Sequence, residues 1–125
     1  MKMGVIDAPV FVLLCMTDGI SLSGHPGTPE GLDAHTTFLP KDQKVFWSAM
    51  NYKGNLFLLT EKVIKEGGHI SIGLGDYPYM EMGQPTNADL IAKVVEQARS
   101  LGREVATVED TRQMLEMTSG AAAAA

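Results

Sequence analysis

Apolar and polar positions along the chain repeat as three strand–helix units. The first apolar segment, residues 10–16, is unbroken, which is typical of a strand buried on both faces of a parallel sheet. The second is residues 45–50, and the third, residues 70–75, carries isoleucine or leucine at every second position. Strands that alternate with helices predict an α/β fold with a parallel sheet and right-handed crossovers.

Each predicted helix begins at a capping residue. Thr28 followed by Pro29 is a helix start, and Asn55 is a second. Thr86 and Asp89 form a capping box, and Thr107 and Asp110 start the last helix in a similar way. The four helices are expected at residues 28–39, 55–66, 86–102 and 107–117.

Length and charge narrow the class of protein. The chain has 125 residues, so we expect one domain at residues 1–117 followed by a low-complexity tail at residues 118–125. Its net charge of -5 argues against nonspecific nucleic-acid binding, and no apolar segment is long enough to span a membrane. Cys15 is the single cysteine, which rules out an internal disulfide, so a reducing cytoplasm is the expected location. Because Cys15 lies inside an apolar run, we expect it to be a buried apolar residue rather than a nucleophile.

Polar residues stand where the predicted strands end. Gly73 and Gly75 flank Leu74 at the end of the third strand, and Asp76 follows them. Because ligands gather at the carboxyl ends of parallel strands, Asp76 is a candidate functional residue, and Asn51 at the end of the second strand is another. Both side chains also suit simple turns. A phosphate turn at residues 73–76 is the weaker alternative, since the next helix begins only at Thr86.

The histidines do not combine into an obvious metal site. His25 lies in the loop after the first strand, and His35 falls at helical spacing beside apolar residues. His69 begins the third strand, at the end opposite Asp76, so these groups are not expected to share one ion. No metal ligand is therefore assigned.

Four motifs are distinctive in combination: Gly24-His25-Pro26-Gly27-Thr28-Pro29-Glu30, the stretch from Gly67 to Asp76, Pro85-Thr86-Asn87-Ala88-Asp89-Leu90, and Gly102-Arg103-Glu104-Val105-Ala106-Thr107. Together they resemble the beta-keto acid cleavage enzymes, the family that includes the 3-keto-5-aminohexanoate cleavage enzyme of lysine fermentation. The resemblance runs from about Met3 to Met117.

The resemblance implies a fold and an activity. The chain would supply the last three βα units of a TIM (β/α)8 barrel plus a C-terminal helix. In amino-acid catabolism, the implied transferase reaction is a zinc-dependent retro-Claisen cleavage of a beta-keto acid with acetyl-CoA, which gives acetoacetate and a CoA ester. The small-molecule keto acid and acetyl-CoA are thus the implied partners, and we expect a homo-oligomer.

The family's last strand typically ends Arg-x-Gly-Leu-Glu-Asp, with the glutamate as a zinc ligand and the aspartate as a catalytic residue. This sequence carries Ser71 at the arginine position, Gly75 at the glutamate position and Asp76 at the aspartate position. The resemblance therefore implies Asp76 as the catalytic residue, with Ser71, Gly75 and Asn51 as candidate substrate-binding residues. Two alternatives to catalysis stay open. One is an inactive half-barrel that dimerises through its open sheet edges, and the other is a regulatory or binding module that uses the long loops.

Overall fold

The computed structural model describes residues 8–19 and 24–117, which form a parallel α/β unit. The strands are β1 (Val10–Thr17), β2 (Val45–Tyr52) and β3 (His69–Ile70). The helices are α1 (Pro29–Thr37), α2 (Thr60–Lys65), α3 (Asn87–Ser100) and α4 (Val108–Met114). Short 3₁₀ helices at Leu56–Leu58 and Met80–Met82 precede α2 and α3. The proposed tail, and residues 20–23 of the first loop, lie outside the described residues.

The strands pair in the order β1-β2-β3, and every pairing is parallel. Val10 aligns with Val45 at one end of the first pair, and Thr17 aligns with Tyr52 at the other. Because all three strands run the same way, the loops that follow them meet at one edge of the sheet. The parallel α/β prediction is confirmed.

The third strand is shorter than its apolar alternation predicts. β3 ends at Ile70, and one further bond joins the Ser71 amide to the Ala49 carbonyl at 3.0 Å. The chain then turns, because the Asp76 amide donates to the Gly73 carbonyl at 3.1 Å. Asp76 consequently lies in a β-turn just beyond the sheet, and not at the last position of a strand.

Local capping chemistry places most helix starts where the sequence predicts them. Thr28 accepts from the Gly31 amide, and both Thr86 and Thr107 form reciprocal capping boxes with the aspartate three residues later. The second helix differs, since Asn55 caps the 3₁₀ helix and α2 begins separately at Thr60. None of the helices within the described ranges has the length and apolarity that crossing a membrane requires.

The hydrophobic core lies between one face of the sheet and the helices. Side chains from β1 and β2 alternate inward and meet residues from α1 and from the segment around α2. The members of this core are Leu14, Met16, Leu32, Trp47, Ala49, Leu56, Leu59 and Val63.

The other face of the sheet is uncovered within the described part of the chain. Phe11 and Leu13 of β1 remain 51% and 50% exposed, and Cys15 is exposed as well. The expectations that β1 is buried on both faces and that Cys15 is buried are therefore wrong for this chain. An unbroken apolar run shows that both faces of a strand carry side chains suited to burial. Which face is actually covered depends on the helices and strands that pack against the sheet.

Candidate active site

Hydrogen bonds join the chain segments that follow the three strands. The Asp18 amide, just after β1, donates to the Tyr52 carbonyl at 3.0 Å. The Lys53 amide, just after β2, donates to the Asp76 carbonyl at 2.8 Å. These two bonds hold the carboxyl ends of the strands in register beyond the sheet itself.

A cleft of about 370 Å³ opens at this edge. It is lined by Tyr52, Lys53, Leu74, Gly75, Asp76, Tyr77 and Pro78. Within residues 8–19 and 24–117, no hydrogen bond or ion pair engages the Asp76 carboxylate. A carboxylate without a protein partner beside a cleft is available to accept a proton from a ligand.

Lys53 is the cleft residue that sequence reasoning missed. Its backbone is left-handed, with φ at 62°, a conformation that costs a residue with a Cβ about 1–2 kcal/mol. The Lys53 ammonium lies 5.6 Å from the centre of the Tyr52 ring. The signal in the sequence was a lysine directly after the Asn-Tyr strand end and before Gly54.

Asp18 and Asn51 support the cleft from behind. Asp18 accepts from the Gly27 amide at 2.8 Å and from the Asn51 side-chain amide at 3.1 Å. A Cβ at Gly27 or Gly54 would come within 2.0 or 2.2 Å of Nδ2 of Asn51, so both glycines pack directly on this amide. The loop after β1 and the loop after β2 are thereby locked together beside the cleft.

Asn51 itself is not at the surface of the cleft. It is only 2% exposed and lies on the helix-covered face of β2, where its Oδ1 has no partner within the described part of the chain. The geometry makes Asn51 a support for Asp18, and its assignment to substrate binding stays a prediction.

Comparison with known proteins identifies the family. A sequence model of the beta-keto acid cleavage enzymes matches residues 1–117. The chain belongs to this family. It is 34% identical over 116 residues to the 3-keto-5-aminohexanoate cleavage enzyme of Acetoanaerobium sticklandii, covering 91% of this chain and 41% of that protein.

A second relative bears a different name. The 3-dehydrocarnitine:acetyl-CoA trimethylamine transferase of Rhizobium meliloti is 31% identical over 121 residues, covering 92% of this chain and 37% of that protein. The 3-keto-5-aminohexanoate cleavage enzyme of Fusobacterium nucleatum is 33% identical over 73 residues, covering 57% of this chain and 27% of that protein. The chain thus spans about two fifths or less of the length of these curated relatives.

The two positions that depart from the family pattern lie in different places. Gly75 lines the cleft, and a Cβ there would meet no atom within 4 Å. Ser71 is outside the cleft lining, on the uncovered face of the sheet that it shares with His69.

The described residues do not fit the zinc site that the family resemblance implies. Glycine at position 75 offers no side-chain ligand atom. Among residues 8–19 and 24–117, no three His, Cys, Asp or Glu side chains gather closely enough to hold a metal ion.

Tyr77 and Tyr79 pack against each other near Asp76. Tyr79 is 1% exposed and packs edge-to-face against Tyr77 and Phe57, at ring-centre distances of 5.0 and 5.5 Å. Burial raises the pKa of the Tyr79 phenol, opposed by its hydrogen bond to the Leu56 backbone, and Asp76 adds a smaller increase. The charge of Glu81 raises the pKa of Tyr77. Both phenols consequently remain protonated near neutral pH and can donate hydrogen bonds.

The three histidines lie in two separate places. His25 and His35 stack edge-to-face at 5.2 Å, and burial followed by the proximity of His25 lowers the pKa of His35. His69 lies against the Phe11 ring at 5.8 Å on the uncovered face, where burial and then Arg103 lower its pKa. None of the three lines the cleft that contains Asp76.

Proposed function

We propose that this chain carries the last three βα units of a (β/α)8 barrel plus a C-terminal helix, and that it contributes to beta-keto acid cleavage. The proposed reaction converts a beta-keto acid and acetyl-CoA into acetoacetate and a new CoA ester. Family membership supports the reaction class. The observation that assigns the proposal to a particular residue is the position of Asp76, which lines the strand-end cleft and whose carboxylate has no partner among residues 8–19 and 24–117.

In the proposed mechanism Asp76 acts as the general base. The protons on C2 of a beta-keto acid lie between a ketone and a carboxylate, which makes them unusually acidic for C–H bonds. Asp76 takes one of them, and C2 then bonds to the acetyl carbon while the CoA thiolate leaves. The original C2–C3 bond breaks as its acyl group passes to the thiolate, and Asp76 returns the proton to C2. A positioned general base contributes about 10²–10⁴ to such a rate.

The rest of the cleft orients Asp76 and its ligand. The Lys53 amide holds the Asp76 carbonyl at 2.8 Å, which fixes the turn that presents the carboxylate. Tyr77 lines the same cleft, and its phenol is a group that can donate a hydrogen bond to a ligand. Since the described residues do not form the zinc site, no step is assigned to a metal ion.

Hydrogen exchange at C2 tests the proposal on this chain alone. Acetoacetate in D₂O would be followed by NMR with the wild-type protein, with Asp76→Asn, and with Asp42→Asn as the matched control. Asp42 is exposed in the loop before β2, at the opposite edge of the sheet. We expect exchange above the buffer rate for the wild type and for Asp42→Asn, and exchange at the buffer rate for Asp76→Asn.

The proposal is rejected if Asp76→Asn exchanges as fast as the wild type, or if the wild type does not exceed buffer. Adding acetyl-CoA and a longer beta-keto acid then tests group transfer separately. Acetoacetate and the matching CoA ester, identified by mass spectrometry, are the expected products.

The uncovered face of the sheet supports a second candidate, an inactive half-barrel that self-associates. Phe11, Leu13 and Cys15 expose neighbouring apolar surface of a kind that oligomer interfaces cover. Sedimentation equilibrium of the wild type and of Leu13→Lys tests this candidate. A concentration-dependent mass that Leu13→Lys abolishes would support it, and a constant monomer mass would exclude it.

A further inference from the structure

We propose that Lys53 binds the carboxylate of the ligand that occupies the strand-end cleft. The chemical identity of that ligand, a beta-keto acid, rests on the proposed function. The role of Lys53 rests on its own backbone and contacts.

The backbone places Lys53 beside Asp76. Its amide bonds directly to the Asp76 carbonyl at 2.8 Å, and both residues line the same cleft. Lys53 also holds a left-handed conformation with φ at 62°, which glycine would adopt without strain. A long cationic side chain retained at such a position is unfavourable for folding and therefore points to a use in the cleft.

The charge of Lys53 is not used elsewhere in the described part of the chain. Lys44, Lys62 and Lys65 each pair with an acid, whereas Lys53, like Lys41 and Lys93, makes no ion pair within residues 8–19 and 24–117. Its ammonium instead lies over the Tyr52 ring at 5.6 Å, which holds it at the cleft edge. Among the residues that line the cleft, Lys53 alone is positively charged.

Lys53 and Asp76 present opposite charges to one cleft without neutralising each other. A beta-keto acid matches this arrangement, since its carboxylate is bonded directly to the carbon that loses a proton. The ammonium is suited to the carboxylate and the Asp76 oxygens are suited to the C2 proton. A neutral keto ester lacks the first of these two contacts.

An NMR titration with two probes tests the inference. Acetoacetate and its neutral methyl ester would be titrated into the wild type, Lys53→Met, Lys53→Arg and the control Lys41→Met. Lys41 lies near the opposite edge of the sheet, and its substitution changes the net charge equally. We expect Lys53→Met to weaken acetoacetate binding about fivefold to tenfold, the size of one charge-assisted contact at an exposed site. Lys53→Arg and Lys41→Met should bind acetoacetate like the wild type, and binding of the ester should be the same in all four proteins.

Three results would overturn the role of Lys53. They are equal binding of acid and ester by the wild type (including no binding of either), unchanged acetoacetate affinity in Lys53→Met, and an equal loss in Lys41→Met. The proposed function fails separately, if acetoacetate binds through Lys53 but Asp76→Asn leaves C2 exchange unchanged.

Discussion

Replacing Gly54 by alanine is expected to destabilise the protein by disrupting the support of the cleft. A Cβ at this position would lie 1.9 Å from Oδ2 of Asp18 and 2.2 Å from Nδ2 of Asn51. These two atoms form the 3.1 Å hydrogen bond that connects the end of β2 to the segment after β1. Both side chains must move for the methyl group to fit.

The expected loss follows from two effects. Forcing a methyl group into a packed site costs about 1–3 kcal/mol. Separating the Asn51 amide from its carboxylate acceptor, at a residue only 2% exposed, costs about 1–3 kcal/mol more. A movement of the Asn51 side chain relieves part of the clash and breaks the hydrogen bond at the same time, so the two costs do not add in full. We therefore expect Gly54→Ala to lower the free energy of unfolding by about 2–4 kcal/mol. This is a large share of the stability of a domain, about 5–15 kcal/mol.

Urea unfolding followed by the fluorescence of Trp47 measures this loss. Trp47 is the single tryptophan and is 9% exposed, so it reports on the core. Gly75→Ala is the matched control, since its Cβ would meet no atom within 4 Å and its φ is not in the left-handed region. The control should change the free energy of unfolding by less than about 0.5 kcal/mol.

A free energy of unfolding for Gly54→Ala within about 0.5 kcal/mol of the wild type would refute the reasoning. A double-mutant cycle with Asn51→Ala adds a sharper check. If the clash involves the Asn51 amide, Gly54→Ala must cost less in the Asn51→Ala background than in the wild type.

Three further predictions concern single residues. Lys53→Gly removes the left-handed strain, so its urea midpoint should be no lower than that of the wild type, and a clear decrease would contradict the strain. Burial lowers the pKa of His35 below 6.5, so its stabilising contribution is present above pH 6.5 and is lost as the pH falls through the folded-state value. The free energies of unfolding of the wild type and His35→Gln should therefore converge on acidification, and a constant difference would contradict this. Thr86→Ala removes the cap of α3 and should cost about 1 kcal/mol, whereas Thr37→Ala in the exposed last turn of α1 should cost less.

Local sequence was sufficient for several features of this chain. The capping boxes at Thr86 and Thr107 form as predicted, because each depends on side chains only three residues apart. The parallel order of the strands also follows from the alternation of apolar runs and helices. The sequence also predicted that Asp76 follows the third strand, although β3 already ends at Ile70 and a turn separates the two.

The arrangement of the cleft depended on contacts between distant parts of the chain. Asp18 and Asn51 are 33 residues apart, and only the pairing of β1 with β2 brings them together. The left-handed backbone of Lys53 and its bond to Asp76 likewise require the end of β2 to lie beside the turn after β3. The pattern of side chains along the sequence does not predict hydrogen bonds between backbone groups of distant residues. The sequence therefore offered no reason to place Lys53 in the cleft.

The sequence by itself determined the helix caps, the parallel α/β class and the family. The caps and the class depend on short-range residue patterns, and the family is identified by motif residues. Tertiary structure alone decided which face of β1 is covered, and hence that Cys15 is exposed. It also turned Asn51 towards the helices and Lys53 towards the cleft. The physical reason is that burial and side-chain direction are set by strand register and by the elements packed against the sheet, which the residues of one strand do not specify.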